Sequence, residues 1–556
     1  MLLTCADSNV KLYEIGESAR SLARCVPCTE LAAGVLEMMQ GEGHSSFPSS
    51  GGPERVKEWL SPQFDQLMEK LDLGMASESA RKQWESRSTF GNVLVYGDYD
   101  TDGISATVLA MEIFRHKAAQ VRYFIPRRDT QGYGLNAEVL GEIARGGCNT
   151  LVVVDCGTND TALLSELAKQ GIEIFVFDHH TVSGTTLFPT IVNPCADGGE
   201  RALCATAVLW CWAWKENILS RDWLKYALDL VALATISDCM PLNVLNRTLV
   251  RRGLALMRTN PRRGLGALLN RLGINREQLS EEQLSMRVIP CLNAPGRIAS
   301  ADISVRALLG AGNEDAVYEC ISDLVRANRR RQMISERIAA KICEEGLESR
   351  YVMYDDSWPV GVLSGVASRL CAQRHSPVVL AAPVAGKVRG TLRVPVGGNA
   401  VGILSEISGL LDAWGGHRYA AGFSVLETNW AEAAGELEKR LANIEVEEEV
   451  VPAINLSPAR ISLSDWRAVT QLGPFGSDNP CPRFYHASSP KDRVEPLGRD
   501  GKHSAVRVDN VKLLAFNAAS DLQELKGVKG WIYHPRLDYW RNEEQVQFIL
   551  DYAVVM

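Results

Sequence analysis

The chain has 556 residues and a formal net charge of −8, with 46% apolar and 23% charged residues. That is the composition of an ordinary globular protein, in a chain long enough to need several hydrophobic cores. No run approaches the ~20 uninterrupted apolar residues of a membrane helix, and the acidic balance excludes binding of nucleic acid by bulk positive charge, while leaving room for a local basic track. The N-terminus lacks a basic, apolar-cored leader, and the 14 cysteines are scattered, many in or beside apolar runs. Both features point to reduced thiols and a cytoplasmic protein. Only Cys25-Val26-Pro27-Cys28 has metal-like spacing, and no second pair accompanies it.

In chain order, residues 1–85 read as an N-terminal helical segment broken by a Gly/Ser/Pro-rich loop at 41–53, with stretches 32–39 and 53–71 expected to wrap the next domain. From 86 to 312, apolar strand-like runs alternate with amphipathic helix patterns. This is the signature of an α/β, doubly wound parallel sheet. Residues 313–347 form a long connecting helix carrying Arg326, Arg329, Arg330 and Arg331, read as a solvated face in preference to a phosphate track. A second α/β domain spans 348–444. Residues 452–556 show short β-type runs between Gly, Asp and Asn turns, the pattern of a small all-β module such as a five-stranded barrel.

Four apolar runs, 93–96, 151–154, 172–177 and 230–236, each lead to a chemical group at the C-terminal end: Asp98 and Asp100, Asp155, Asp178-His179-His180, and Asp238. At that edge of a parallel sheet ligands bind. Carboxylates with imidazole suit Mn²⁺ or Mg²⁺ holding a phosphate. Asp98 and Asp100, spaced i, i+2 between Gly97 and Gly103, could reach two metals from one loop. Asp155 could bridge them, and His179 and Asp238 would serve the second. Two ions about 3.5–4 Å apart imply phosphoester hydrolysis.

Taken together, Gly97-Asp98-Tyr99-Asp100-Thr101-Asp102-Gly103, Asp155-Cys156-Gly157, Asp178-His179-His180 and Ile236-Ser237-Asp238-Cys239-Met240-Pro241-Leu242 resemble the four motifs of the DHH phosphoesterase superfamily. Gly415-Gly416-His417 resembles the signature of the DHHA1 domain. Gln131-Gly132-Tyr133-Gly134-Leu135, Asn293-Ala294-Pro295-Gly296-Arg297 and Gly473-Pro474-Phe475-Gly476-Ser477-Asp478-Asn479-Pro480 narrow the resemblance to the RecJ single-strand-specific exonucleases, whose C-terminal module is an OB-fold. The resemblance implies that Asp98, Asp100, Asp155, His179 and Asp238 hold two divalent cations, that His180 faces the scissile phosphate and that Asp102 supports its loop. It further implies phosphate contacts from Asn293, Arg297, Thr391, Arg393, Gly416 and His417.

Three departures stand out. Pro359 occupies the position of the usual His in a Trp-His-x-Gly turn, and Thr391 and Leu392 replace Ser and Gly of the phosphate motif. Leu94 and Tyr96 precede the first Asp, where some relatives place a His.

In the C-terminal module the basic candidates for nucleic acid are Lys491, Arg493, Arg499, Lys502 and Arg507, while Trp531, Tyr533, Tyr539, Trp540 and Phe548 are either stacking platforms or barrel core. The leading reading is a 5′-to-3′ exonuclease acting on single-stranded DNA in repair and recombination. The resemblance adds a single-strand-binding protein and a helicase as partners of a monomer. The alternatives are a DHH phosphodiesterase for short oligonucleotides or cyclic dinucleotides, and a non-catalytic repair scaffold.

Overall fold

Near-continuous Val, Leu, Ile and Phe runs form the central strands of a sheet covered on both faces, as parallel strands require. The computed structural model describes residues 3–44, 52–127, 134–182, 188–447, 449–498, 501–540 and 543–556. Gln131, Gly132 and Tyr133 of the expected motif, and the basic candidate Arg499, lie outside the described residues. The chain divides into two units, one comprising Met68–Met240 and Leu249–Glu447, the other Met1–Leu67, Pro241–Thr248 and Glu448–Met556.

In the first unit the strands lie in the spatial order Gln120–Phe124, Asn92–Tyr96, Thr150–Val154, Glu173–Phe177 and Ile191–Val192, each neighbouring pair parallel. Taken in chain order this is 2-1-3-4-5, so the winding reverses between Asn92–Tyr96 and Thr150–Val154. At such a switch point the connections leave to opposite faces and open a crevice beyond the strand ends. One face packs Leu94, Tyr96, Leu151, Val153, Ile174 and Val176 against Leu140, Leu164 and Leu167 of the helices Ala137–Arg145 and Thr161–Lys169. The other rests on Trp84, Phe90, Phe114, Phe175 and Trp212, whose rings meet tilted or edge-on. Each fully buried aliphatic or Phe side chain contributes about 1.5–3 kcal/mol relative to exposure.

One expected strand is a helix. Residues 230–236 lie inside the helix Leu228–Ser237, in which every residue from Leu228 to Thr235 is buried. A helix apolar on all sides carries no 3.6-residue stripe, so its period cannot be told from that of a buried strand. Asp238 still emerges at its end, as the C-cap.

The connecting helix Glu314–Glu344 opens on Asn313, whose side chain accepts from Ala316 N–H. Near its C-terminal end Ile338 and Ile342 join Met353, Val362, Leu363 and Val366 in the core of the second α/β layer. That layer is a sheet in the order Ala413–His417, Ala420–Leu426, Lys387–Arg393, Val378–Val384 and Val352–Tyr354, antiparallel except for the last pair. The helix Val360–Arg374 packs against it.

The other unit departs further from expectation. Among the described residues its strands join in one nine-stranded sheet, in which the C-terminal strands take in two from the N-terminus. Leu3–Ala6 pairs with Glu543–Val555, and Val10–Tyr13 with Val451–Asn455, so the first 85 residues are not uniformly helical. Two four-residue strands are too short for an alternating pattern to register. The helix Glu30–Gly41, expected to wrap the catalytic domain, joins Trp466, Phe484 and Phe548 in a single core instead. Among the described residues no helix is long and apolar enough to cross a membrane.

Candidate metal and phosphate site

Both strands flanking the switch point end in acid. After Asn92–Tyr96 the chain turns so tightly that a Cβ on Gly103 would lie 2.7 Å from Asp98 Cα, and one on Gly97 would lie 1.9 Å from Thr107 Oγ1. Asp100 caps the helix Thr101–Phe114, accepting from Asp102 N–H (3.0 Å) and Gly103 N–H (3.1 Å). The Asp102 carboxylate is itself held by Ala205 N–H (2.7 Å), Thr206 N–H (2.9 Å) and Thr206 Oγ1 (2.6 Å), at the start of the helix Ala205–Lys215. After Thr150–Val154, Asp155 adopts a φ of 61°. Such left-handed strain in a non-glycine residue collects at functional sites.

These groups converge. Ligand atoms lie within 4.8 Å of one another in each of three sets: Asp98, Asp100 and Asp155; Asp155, His179 and His180; and Asp102, His179 and Asp238. Asp98 and Asp100 therefore fall in one set, with Asp155. Asp155 belongs to two sets. His179 Nε2 sits 3.4 Å from Asp155 Oδ1, 3.3 Å from Asp238 Oδ2 and 3.8 Å from Asp102 Oδ2.

The electrostatics ask for a cation. Burial, reinforced by the neighbouring carboxylates, raises the Asp155 carboxyl well above its ordinary range and pushes Asp238 up to about 8. Burial also holds the His179 imidazole below its usual value, in the neutral form that binds metal. This donor set of oxygens and imidazole suits Mn²⁺ or Mg²⁺.

His180 is a separate case. Burial acts against its charged form, but the hydrogen bond and charge of Asp178 outweigh it and push His180 up to about 9. Asp178 Oδ1 lies 2.8 Å from His180 Nδ1 and also accepts from His179 N–H (2.8 Å), while Asp178 Oδ2 accepts from Thr158 N–H (3.1 Å). Sequence reasoning assigned no role to Asp178, nor to Asn193, a fully buried amide that donates to Thr158 Oγ1 and His180 O at 2.9 Å.

The rim is built from helix contacts. Asn293 Oδ1 accepts from Thr101 N–H and Thr101 Oγ1, each at 2.8 Å, so its carbonyl anchors the start of the Thr101–Phe114 helix. A Cβ on Gly296 would lie 2.5 Å from Tyr99 O, and one on Gly361 1.9 Å from Arg297 O. Only glycine permits either approach. Arg297 Nη1 donates to Ser364 Oγ at 2.9 Å. Arg393 donates through Nε to Ser368 Oγ (2.9 Å) and through Nη1 to Thr391 Oγ1 (2.8 Å).

Arg393 and His417 both stand opposite Ala420 across adjacent strands, and Gly416 beside His417 has a φ of 150°. Pro359 takes the N-cap of the Val360–Arg374 helix. A cavity of about 220 Å³ runs along Ser237, Cys239, Asn293, Arg297, Arg331 and Ser335. Within the arginine run, Arg326, Arg329 and Arg330 are exposed, whereas Arg331 is half-buried and faces this cavity. The helical period through Asn328 and Arg331 was the signal available in sequence.

In the strand-rich unit Trp531, Tyr533 and Phe548 are buried, so they are core and not stacking platforms; Tyr539 is exposed. Arg507 is tied to Glu495 by two hydrogen bonds (2.5 and 3.0 Å), while Lys491, Arg493 and Lys502 are exposed.

Comparison with known proteins agrees with this layout. Family models match at residues 92–235 (DHH family, N-terminal domain), 347–443 (DHHA1 domain) and 453–552 (RecJ OB domain). The single-stranded-DNA-specific exonuclease RecJ of Thermus thermophilus is 31% identical over 468 residues, covering 83% of this chain and 68% of the relative. The chain belongs to the RecJ family.

The Escherichia coli RecJ exonuclease is 29% identical over 506 residues, covering 83% of this chain and 86% of its own. The Bacillus subtilis RecJ is matched over only 63% of its length. A crystal structure of RecJ in complex with Mn²⁺ from Thermus thermophilus superposes with a TM-score of 0.80 at 26% identity, covering 99% of this chain and 79% of that one. The RecJ relatives thus match all three regions, and the Gly473–Pro480 motif lies within the stretch matched to the RecJ OB domain.

Proposed function

We propose that the chain is a divalent-metal-dependent exonuclease that hydrolyses single-stranded DNA from the 5′ end. The observation that carries the reading is the convergence of five carboxylates and two imidazoles at the switch point of the parallel sheet, with Asp155 common to two of the three sets. Asp98, Asp100 and Asp155 would hold one ion, and Asp155, His179 and Asp238 the other, with Asp102 steadying the loop between them. When bound, two such ions lower the pKa of water and neutralise charge on the attacking and leaving oxygens.

The chain's own groups do the rest. Charged His180, fixed through Nδ1 by Asp178, offers Nε2 to a phosphate oxygen. Arg297, anchored at Nη1 by Ser364, offers its guanidinium, and Asn293 its amide, its carbonyl being engaged by Thr101. Thr391, Arg393, Gly416 and His417 would hold phosphate from the second sheet. Such contacts fix the backbone without reading sequence.

The strand-rich unit would retain long single strands, with Lys491, Arg493 and Lys502 as contacts. The RecJ resemblance supplies the direction of attack, a role in DNA repair and recombination, and a single-strand-binding protein and helicase as partners of a monomer. Cysteines outside disulfides fit a cytoplasmic setting.

Digestion of 5′-labelled and 3′-labelled single and double strands with Mn²⁺ tests the reading. Mononucleotide release from the 5′ label of single strands alone is expected. Hydrolysis confined to dinucleotides would overturn it.

A further inference from the structure

Two helices of the first unit lie side by side with acidic groups at both ends of the pair. Thr101–Phe114 begins on Asp100 and carries Asp102 in its first turn, while Leu228–Ser237 ends on Asp238. The two helices pack against each other. At the end nearest the cluster, Asp102 Oδ2 and Asp238 Oδ2 lie 3.8 and 3.3 Å from His179 Nε2. The start of one helix thus meets the end of the other, and the pair runs antiparallel. Glu112 follows Asp102 along its helix by about 15 Å, and Asp229 opens the other helix at the same far end.

There one guanidinium joins them. Arg262 grips Asp229 with two hydrogen bonds, from Nε to Oδ2 at 2.7 Å and from Nη2 to Oδ1 at 3.1 Å, and donates from Nη1 to Glu112 Oε1 at 3.2 Å. Asp229 and Arg262 are buried, whereas the Glu112 side chain is 23% exposed. The arginine has its own anchor. It is the N-cap of the helix Arg263–Arg271, where a Cβ on Gly264 would lie 1.6 Å from Ala307 O.

Every residue of Thr101–Phe114 except Glu112 is buried, as is every residue from Leu228 to Thr235. Apolar contact is non-directional, so it holds two such helices together without fixing how far one slides along the other. A buried ionic contact is directional, and setting register is its best-attested use. Register matters at the near end, because a ligand displaced by a fraction of an ångström loses productive geometry.

We propose that Arg262 is a positioning residue: by tying Glu112 to Asp229 it sets the axial register of the two helices, and with it the placement of Asp102 and Asp238 around His179. The proposal rests on the metal reading of the cluster. A role in packing alone would change stability and leave the metal affinity of the folded protein untouched.

The test measures Mn²⁺ binding to the substrate-free, full-length chain by the paramagnetic resonance of free Mn²⁺. Glu112→Ala cuts the link to one helix and leaves Arg262 paired with Asp229, so no buried charge is stranded. With circular dichroism at the wild-type value, it is expected to weaken one of two Mn²⁺ sites by about 10-fold, as changes in the groups supporting a metal ligand do. Glu112→Gln removes the same charge but keeps an acceptor for Arg262 Nη1, and should bind Mn²⁺ more tightly than Glu112→Ala. A folded Glu112→Ala protein with both Mn²⁺ affinities unchanged overturns the proposal. An equal loss in Glu112→Gln also overturns it, since that marks an effect of charge at a distance. If Glu112→Ala does not fold, Arg262→Lys decides in its place, keeping the charge and giving up the two-pronged grip on Asp229: weakening of one site supports the proposal, and unchanged affinity overturns it. Failure of wild type to bind Mn²⁺ would overturn the metal reading and this proposal with it, whereas normal wild-type binding beside an unaffected variant overturns this proposal alone.

Discussion

Arg297 and Arg393 are held by one helix: each donates at 2.9 Å to a serine hydroxyl, Ser364 and Ser368, one turn apart on Val360–Arg374. One guanidinium comes from the first α/β layer and the other from the second sheet. The helix between them holds both through serines on successive turns.

Removing either serine should loosen its arginine without unfolding the helix. A positioning hydrogen bond worth about 1 kcal/mol corresponds to a factor of about 5. Ser364→Ala and Ser368→Ala are each expected to raise KM for a short oligomer by about that factor with kcat little changed. Steady-state kinetics decide, and two unaffected variants would remove the aligning role of the helix.

Asp178→Asn should do more damage than its distance from the ions suggests. One carboxylate oxygen accepts from His179 N–H and faces His180 Nδ1, and the other accepts from Thr158 N–H. An amide keeps the shape but loses the charge that sustains the His180 imidazolium. Losses of this kind run to about 10–100-fold in activity or metal affinity. Wild-type kcat in the variant would show that His180 works without this partner.

The metal-free protein should become less stable as pH rises. Asp155 and Asp238 have folded pKa values above that of an unfolded aspartate, with Asp238 at about 8. Between roughly pH 4, the unfolded value, and 8 the native state therefore binds protons that the unfolded chain has lost. Stability then falls with increasing pH across that window. Mn²⁺ displaces those protons, so its affinity should rise with pH and its stabilising effect should be largest near pH 8. Thermal melts from pH 5 to 8, with and without Mn²⁺, check both signs. A metal-free melting point that climbs over this range would contradict the assignment.

What could be read from sequence was the chemistry at strand ends, because Asp98, Asp155 and His179 follow apolar runs whose burial is unambiguous. Asp238 was found for a partly mistaken reason, since its run is a helix buried on all sides and carries no period to recognise. The distant partners through which such residues act were hidden. Asp102 reaches Ala205 and Thr206, and Leu242 reaches Ser477, through contacts that no local pattern encodes. The N-terminal strands were hidden for the same reason, as their partners lie at the far end of the chain.

The arginine run of the connecting helix separates by face. Arg331 lines the cavity with Asn293 and Arg297, and burial lowers its pKa, whereas Arg329 and Arg330 are exposed. Arg331→Ala should raise KM for single strands by about 10-fold, the loss of one hydrogen bond to a charged group. Arg330→Ala should stay within about twofold, as surface changes do. Equal effects from the two would restore the reading of a uniformly solvated face.

Deleting residues 452–556 would not isolate DNA binding. It would remove the Leu472 and Gln471 carbonyls that hold Arg247 and uncover the core in which the helix Glu30–Gly41 is buried. Point changes in charge are cleaner. Arg507 is already neutralised by Glu495, which also pairs with Lys512 at 3.2 Å, so it has little to offer a phosphate. Lys491 and Arg493 are exposed. Each phosphate of a single strand that the protein ceases to neutralise should flatten the dependence of log affinity on log salt by about 0.7. Lys491→Ala and Arg493→Ala are expected to show that change in binding titrations with a long thymidine strand, while cleavage of a trinucleotide proceeds at the wild-type rate. Arg507→Ala should leave the slope where it was. A flattened slope for Arg507→Ala and none for the other two would move the DNA track across the strand pair to Arg507, which faces Arg493 in the antiparallel register and would have to give up Glu495 to reach a phosphate.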